Sequence, residues 1–339
     1  MMNSSTKSLS NIIPGTIIEG KWHKNRYTII SVLGSGANGF VYLAQYQNRQ
    51  VALKISDNGI AITSEVNVLK SFQKVQGSTL GPSLIDVDDW EKKDKNISFY
   101  VMEYIKGPDL LSFIKQRGHS WTGVLVLQLL SDLERLHENG WVFGDLKPEN
   151  LIVTGPPSKI RCIDVGGTTI QGRAIKEFTE FYDRGYWGLG SRKAEPTYDL
   201  YAVAMIMINT AYPKRFTKTT GGMKQLVPLI KQKVEIQRYE RILIRALEGK
   251  YQSAKEMRED LLELFSTQIT NNKDRKGTQV PRTRSQGNQT IVKRTITNGT
   301  APNQTVRKNK RRKRGIIESF IILMIISFLY FLYIYEQIL

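Results

Sequence analysis

Five short stretches of this chain carry side chains suited to handling phosphate. Gly34-Ser35-Gly36-Ala37-Asn38-Gly39 has the G-x-G-x-x-G spacing, in which missing Cβ atoms let backbone N–H groups approach phosphate oxygens. Val51-Ala52-Leu53-Lys54 sets a lysine in an apolar run. That placement is costly unless the ammonium is paired, and a phosphate pair plus a carboxylate, with Glu65 the natural donor, would satisfy it. In Val142-Phe143-Gly144-Asp145-Leu146-Lys147-Pro148-Glu149-Asn150-Leu151, Asp145 can accept a hydroxyl proton and Lys147 can neutralise a phosphoryl group in transfer. Asn150 can bind a divalent cation, and Asp164, at the end of a strand-like run, can hold Mg²⁺ bridging two phosphates.

The flanking elements decide between uses of the glycine motif. A strand-like run, Tyr27–Leu33, precedes it, and another, Phe40–Gln45, follows where a dinucleotide-binding fold would place a helix. Gln50–Ile55 and Ile97–Glu103 also read as strands, with the helix-like Ser64–Gln73 between them. After Gly107 the pattern turns helical: Leu110–Lys115, Val124–Glu138, Tyr198–Asn209, Tyr239–Leu247 and Ala254–Phe265. A strand-rich first third and a helical remainder imply an α+β domain of two lobes over residues 21–266, behind an N-terminal extension of residues 1–20.

The order of these motifs resembles the Hanks-type Ser/Thr protein kinases of bacteria, over about Tyr27 to Phe265. The resemblance implies a bilobal fold, with ATP and Mg²⁺ (or Mn²⁺) as cofactors and protein hydroxyls as acceptors. It assigns catalysis to Asp145 and Lys147 and the metal to Asn150 and Asp164. ATP would be held by Leu33, Gly34, Ser35, Gly36, Ala37, Asn38, Gly39, Val41, Lys54, Glu65 and the hinge residues Glu103 and Ile105. Such enzymes stabilise transfer by positioning and electrostatics rather than covalent chemistry.

Some family letters differ. H-R-D reads Phe143-Gly144-Asp145, which removes the usual reader of a phosphorylated activation loop. D-F-G reads Asp164-Val165-Gly166, with a smaller apolar contact. A-P-E is not legible around Lys193-Ala194-Glu195-Pro196, and the Arg that usually pairs with its Glu appears as Lys250. Asp199 matches the helix-start Asp that braces the catalytic loop. Thr168, Thr169 and Thr179 are candidates for autophosphorylation, although without that Arg they read as solvated threonines. A small-molecule phosphotransferase, suggested by Gly144-Asp145, and a pseudokinase scaffold are the competing readings. Lys147-Pro148 speaks against the first and the complete charged set against the second.

The chain's net charge is +18, and residues 267–314 hold fourteen Lys/Arg against Asp274 alone. With no apolar periodicity, this stretch reads as a disordered basic linker with DNA or anionic membrane lipid as candidate partners. Ile316–Tyr335 is apolar enough for one transmembrane helix, part of a span expected at 315–335. The cluster Arg307–Arg314 before it and Tyr330, Tyr333 and Tyr335 near its far end look like membrane flanks. The positive-inside rule then expects the kinase-like domain in the cytoplasm, with residues 336–339 as a short external tail. This layout resembles a subgroup of such kinases from spore-forming bacilli, with a homodimer as a further candidate assembly. Cys162, the single cysteine, excludes an intrachain disulfide and reads as a small core residue. The polar Met1–Asn11 has no secretory signal pattern.

Overall fold

In the computed structural model the described residues are 12–36, 39–74, 80–92 and 95–277, with side chains described as far as Thr267. The chain divides into two units, Met1–Gln279 and Val280–Leu339, and the second lies outside the described residues. The expected span at 315–335, most of the basic linker and the tips Ala37 and Asn38 of the glycine motif lie there too. Among the described residues no helix is long and apolar enough to cross a membrane.

Six strands form one antiparallel sheet: β1 (Ile17–Glu19), β2 (Arg26–Gly36), β3 (Gly39–Tyr46), β4 (Arg49–Ser56), β5 (Leu84–Lys92) and β6 (Lys95–Glu103), in the order β1-β2-β3-β4-β6-β5. Alternation along β4 and β6 sorts their side chains to two faces. Val51, Leu53 and Ile55 join Phe99 and Val101 in a core on one face, with Tyr27, Phe40 and Tyr42. Ala52, Tyr100 and Met102 belong to the larger core on the other face, so Lys54, between Leu53 and Ile55, points toward the helical lobe. The helix α1 (Gly59–Lys74) packs on that same face through Ile62, Val66, Leu69 and Phe72.

The second lobe is built on α5 (Pro196–Ala211), whose residues from Tyr198 to Thr210 are all buried. Proline at its first turn is well placed, since the N–H it lacks would have no helical partner there. Around it lie α2 (Leu110–Arg117), α3 (Ser120–Glu138), α4 (Arg184–Trp187), α6 (Gly222–Gln232), α7 (Val234–Gln237), α8 (Glu240–Leu247) and α9 (Ala254–Gly277). Two short antiparallel pairs shape the site: β7 (Trp141–Val142) with β10 (Thr169–Ile170), and β8 (Leu151–Thr154) with β9 (Lys159–Cys162).

The sheet and helices occupy the expected order. β1 lies ahead of residue 21 and pairs with β2, α9 continues beyond 266 to Gly277, and β5 and α6 are additions to the sequence reading. Cys162 is wholly buried, as expected of a core residue.

Candidate active site

A cleft of about 670 Å³ runs between the lobes. Its strand-side wall carries Leu33, Gly34, Ser35, Gly36, Gly39 and Val41, and its hinge end Glu103 and Ile105. The opposite wall carries Asp145, Lys147, Asn150 and Asp164, so every described residue assigned from the sequence except Glu65 lines this one space. Ala37 and Asn38 lie outside the described residues. Gly39 adopts φ +128°, and a Cβ there would collide with the Ile55 carbonyl, which fixes glycine at the end of the motif. At Gly34 and Gly36 a Cβ would meet nothing within 4 Å, so no packing among the described residues demands glycine there.

Glu65 sits behind the cleft and reaches Lys54 from α1. The Lys54 Nζ donates to Glu65 Oε1 at 2.8 Å and lies 2.6 Å from Oε2. Tyr100, opposite Lys54 in the β4–β6 register, donates its hydroxyl to Glu65 Oε2 at 2.7 Å. Burial, and then the Glu65 charge, push the Tyr100 hydroxyl well above its ordinary pKa, so it stays a donor. Glu65 is thus held by two donors, one of which, Tyr100, does not depend on Lys54. The Glu103 side chain, at the hinge end, takes no part in the Lys54–Glu65 pair. It pairs with Arg161 (2.5 and 2.9 Å), accepts from the Ser83 N–H and is held below the ordinary carboxylate pKa, chiefly by Arg161. These contacts fix the Glu103 carboxylate to Arg161 and Ser83 at the hinge end of the cleft.

On the catalytic loop, Lys147 donates to Asp145 Oδ2, while Thr179 donates to Oδ1 at 2.9 Å. A carboxylate offers about four lone-pair sites, so Asp145 keeps capacity for a substrate hydroxyl. Asn150 and Asp164 are tied together through the main chain, the Ile163 N–H donating to the Asn150 carbonyl at 3.0 Å. The Asp164 Oδ1 accepts from the Gly166 N–H at 3.0 Å. An amide oxygen and a carboxylate at adjoining backbone positions, facing one cleft, suit a hard divalent cation. When bound, such a cation supplies charge neutralisation for phosphate oxygens.

Asp199 is the brace expected of it. Completely buried at the start of α5, it accepts from the Phe143 N–H at 2.7 Å and the Gly144 N–H at 2.9 Å, and His137 Nε2 lies 2.9 Å from its Oδ2. Gly144 is more than a missing arginine. It has φ +86°, and a Cβ there would stand 2.7 Å from the Gly167 carbonyl, so the segment after Asp164 packs directly on the catalytic loop. Val165 is buried in the main core, where Gly81 brings the backbone close enough that a Cβ would lie 3.4 Å from Val165 Cγ1 and 2.8 Å from Phe72. The smaller side chain is covered by chain that comes closer.

Three expectations about the segment from Asp164 to Asp199 are corrected. Thr168 and Thr169 are not solvated; both are fully buried. Thr179 is neither solvated nor idle, since its hydroxyl is spent on Asp145. The Glu195 carboxylate does have a buried arginine partner, but it is Arg184 (2.5 Å), while Lys250 pairs with Glu248 at the surface. Arg184 also donates to the Ser191 carbonyl and Thr197 Oγ1, both at 2.7 Å. Beside it, the buried Asp183 accepts from Arg192 Nε at 2.8 Å, the Tyr198 hydroxyl at 2.9 Å and the N–H groups of Gly185 and Tyr186. Burial alone would raise Asp183; Arg192, Tyr198 and the two amides outweigh it and hold the carboxyl below its ordinary pKa.

Sequence reasoning missed Tyr100, Asp183 and Arg184, and gave Thr179 the wrong role. For Tyr100 the signal was present: strand alternation puts it on the Lys54 face.

This cleft, with its lysine–glutamate pair, its braced catalytic carboxylate and two cation-binding side chains, has the form of a phosphotransfer site. The protein kinase domain family matches residues 27–281, and the chain belongs to it. It is 51% identical over 337 residues to the Serine/threonine-protein kinase YabT of Bacillus subtilis (strain 168), covering 98% of each chain. It is 24% identical over 289 residues to PrkC of the same organism, covering 75% of this chain and 43% of that one. Among solved structures, the kinase PK-1 of Cydia pomonella granulovirus shares the fold with a TM-score of 0.53 at 18% identity, over 68% of this chain and 92% of that one. The chain is a Ser/Thr protein kinase.

Proposed function

We propose that this kinase transfers the γ-phosphoryl group of ATP, with Mg²⁺ or Mn²⁺, to protein hydroxyls while anchored to the cytoplasmic membrane through residues 315–335. The observation that carries the transfer reading is the closed Lys54–Glu65 pair facing Asp145, Asn150 and Asp164 across one cleft. Asp145 takes the acceptor proton, Lys147 offsets charge on the moving phosphoryl group, and Asn150 and Asp164 hold the cation. Labelling with radioactive ATP should mark the full chain and a protein acceptor, and Lys54→Ala should abolish both signals. Labelling of a sugar or amine but of no protein would overturn this reading.

The anchor reading rests on the apolar run Ile316–Tyr335 and the cations Arg307–Arg314 before it. The full chain should stay with membranes after alkaline carbonate extraction, and a chain ending at Arg314 should not. For regulation, the cation-rich stretch 267–314 favours DNA or anionic lipid, since clustered Lys/Arg bind phosphates without regard to sequence. Either should raise the transfer rate at low salt and lose its effect at high salt. A rate indifferent to both ligands removes regulation through this stretch.

A further inference from the structure

Thr179 joins the catalytic carboxylate to a neighbouring cavity. Its hydroxyl bonds to Asp145, and it also lines a cavity of about 360 Å³ walled by Phe181, Tyr186, Trp187 and Phe216. Phe216 is at the same time part of a second groove, about 750 Å³, which runs along α6 past Lys224, Pro228, Leu229 and Lys231. The two spaces share that ring, and the first also shares Thr179 with the catalytic cleft.

The lining is cationic. Arg215 and Lys218 belong to the first cavity, Lys224 and Lys231 to the second, and Glu180 is the one carboxylate among the lining residues of both. The cations are partly engaged. Arg215 pairs with Glu149, Lys231 lies 3.5 Å from Glu240, and Lys218 donates to the Tyr186 carbonyl at 2.6 Å. The two ion pairs are partly solvent-exposed and so worth little, which leaves Arg215 and Lys231 open to a competing carboxylate. Lys224 has no ion-pair partner among the described residues.

The groove is also firm. Phe216 packs edge-on against Phe181 (4.9 Å between centroids), Tyr212 (5.6 Å) and Trp187 (5.8 Å). Arg215 lies over the Tyr182 ring at 5.0 Å and Lys218 over Tyr186 at 4.9 Å, so their heads are held near fixed points. Gln225 pins the connection before α6, accepting from the Thr219 and Gly221 N–H groups and donating to the Thr217 carbonyl. A surface already ordered costs less entropy to bind.

We propose that this groove selects protein substrates by an acidic segment flanking the phosphoacceptor. A large apolar side chain beside the acceptor seats against the rings, and carboxylates further along meet Lys218, Lys224 and Lys231. A nucleic acid would be drawn by the same charges, but Thr179, which lines the first cavity and bonds Asp145, sets that cavity beside the proton acceptor and favours the polypeptide being phosphorylated.

The test is steady-state phosphorylation by the detergent-solubilised full chain with Mg²⁺ and ATP. Acceptor peptides would be identical except for acidic, neutral or basic flanks. Acidic flanks should lower KM about tenfold against neutral ones, the size expected of a few exposed ion pairs, with kcat little changed. A Lys224→Glu/Lys231→Glu double variant should erase that advantage and come to favour basic flanks. Its KM for ATP, compared with wild type, reports whether the nucleotide cleft is intact. Equal KM for acidic and neutral peptides, or an acidic advantage that survives the double variant, overturns the proposal. So would duplex DNA binding lost in the double variant with no KM difference among peptides, which would make the groove a nucleic-acid surface.

Discussion

The catalytic loop and the segment that follows it solve their positioning problems differently. From Asp145 to Asn150 the chain keeps the residue types that phosphate and cation chemistry demand. From Asp164 to Asp199 it keeps an arrangement but changes most of the letters: Arg184 serves Glu195, Asp183 gathers Arg192 and Tyr198, and Gly167 packs its backbone against Gly144, where the family pattern has an arginine. Only a few groups can accept a proton or hold a divalent cation, whereas many combinations of charge and packing can hold a loop still. Chemistry therefore restricts sequence more tightly than support does.

Removing the proton acceptor should produce the largest effect. Asp145→Asn keeps the shape but loses general-base character, and kcat should fall about 10²- to 10⁴-fold with ATP affinity retained. Normal turnover in this variant would move catalysis off the loop altogether.

On the support side, Asp183→Ala should be the most damaging change, because it strands Arg192 and the Tyr198 hydroxyl. We expect a loss of about 3 kcal/mol, at the low end for a broken buried pair because Arg192 is partly exposed, read as a lower Tm and a higher peptide KM. The same carboxylate has a pH signature. Its folded pKa lies below the ordinary 3.8, so its contribution is complete above that value and fades as pH falls through the depressed one. Acid unfolding of Asp183→Asn should accordingly be less steep than that of the wild type over that range.

Legibility followed the same division. Every described residue assigned to catalysis, metal or ATP stands at the cleft or, like Glu65, reaches into its chemistry from behind. The strand β5 was hidden because Asp86, Asp88 and Asp89 make Leu84–Lys92 look like a polar loop. The fold buries two of those carboxylates by giving them donors: Tyr27, Asn25 and His23 for Asp86, and the Trp22 and His23 N–H groups for Asp88. No local pattern announces partners about sixty residues away in the chain. Helix α6 was masked by Pro228 inside it, which reads as a breaker although the helix runs through. Arg184 and Thr179 escaped for a related reason, since their roles depend on where the segment folds back.

Gly144 tests whether the contact between the catalytic loop and that segment lacks an arginine or has dispensed with one. Gly144→Ala should cost about 1–3 kcal/mol, since the φ of +86° and the Gly167 carbonyl 2.7 Å away oppose any Cβ. Gly144→Arg should then destabilise the catalytic loop without making the enzyme respond to a phosphorylated loop. A gain of phosphorylation-dependent activity would show instead that the support region needs only its missing letter.

The smallest effect discriminates best between the two ways of bracing Glu195. If residue identity at the family position mattered, Lys250→Ala would loosen the helical lobe. Lys250 instead makes a surface pair with Glu248, and both side chains are partly exposed, so its removal should change stability by no more than about 0.5 kcal/mol and leave peptide KM alone. Arg184→Ala removes a buried guanidinium that holds Glu195, Thr197 and the Ser191 carbonyl, and should raise peptide KM and lower Tm together. Differential scanning fluorimetry beside peptide kinetics on the two variants separates the cases. Equal effects would mean that the two braces share the load, and a larger effect at Lys250 would return the role to the position the family pattern assigns.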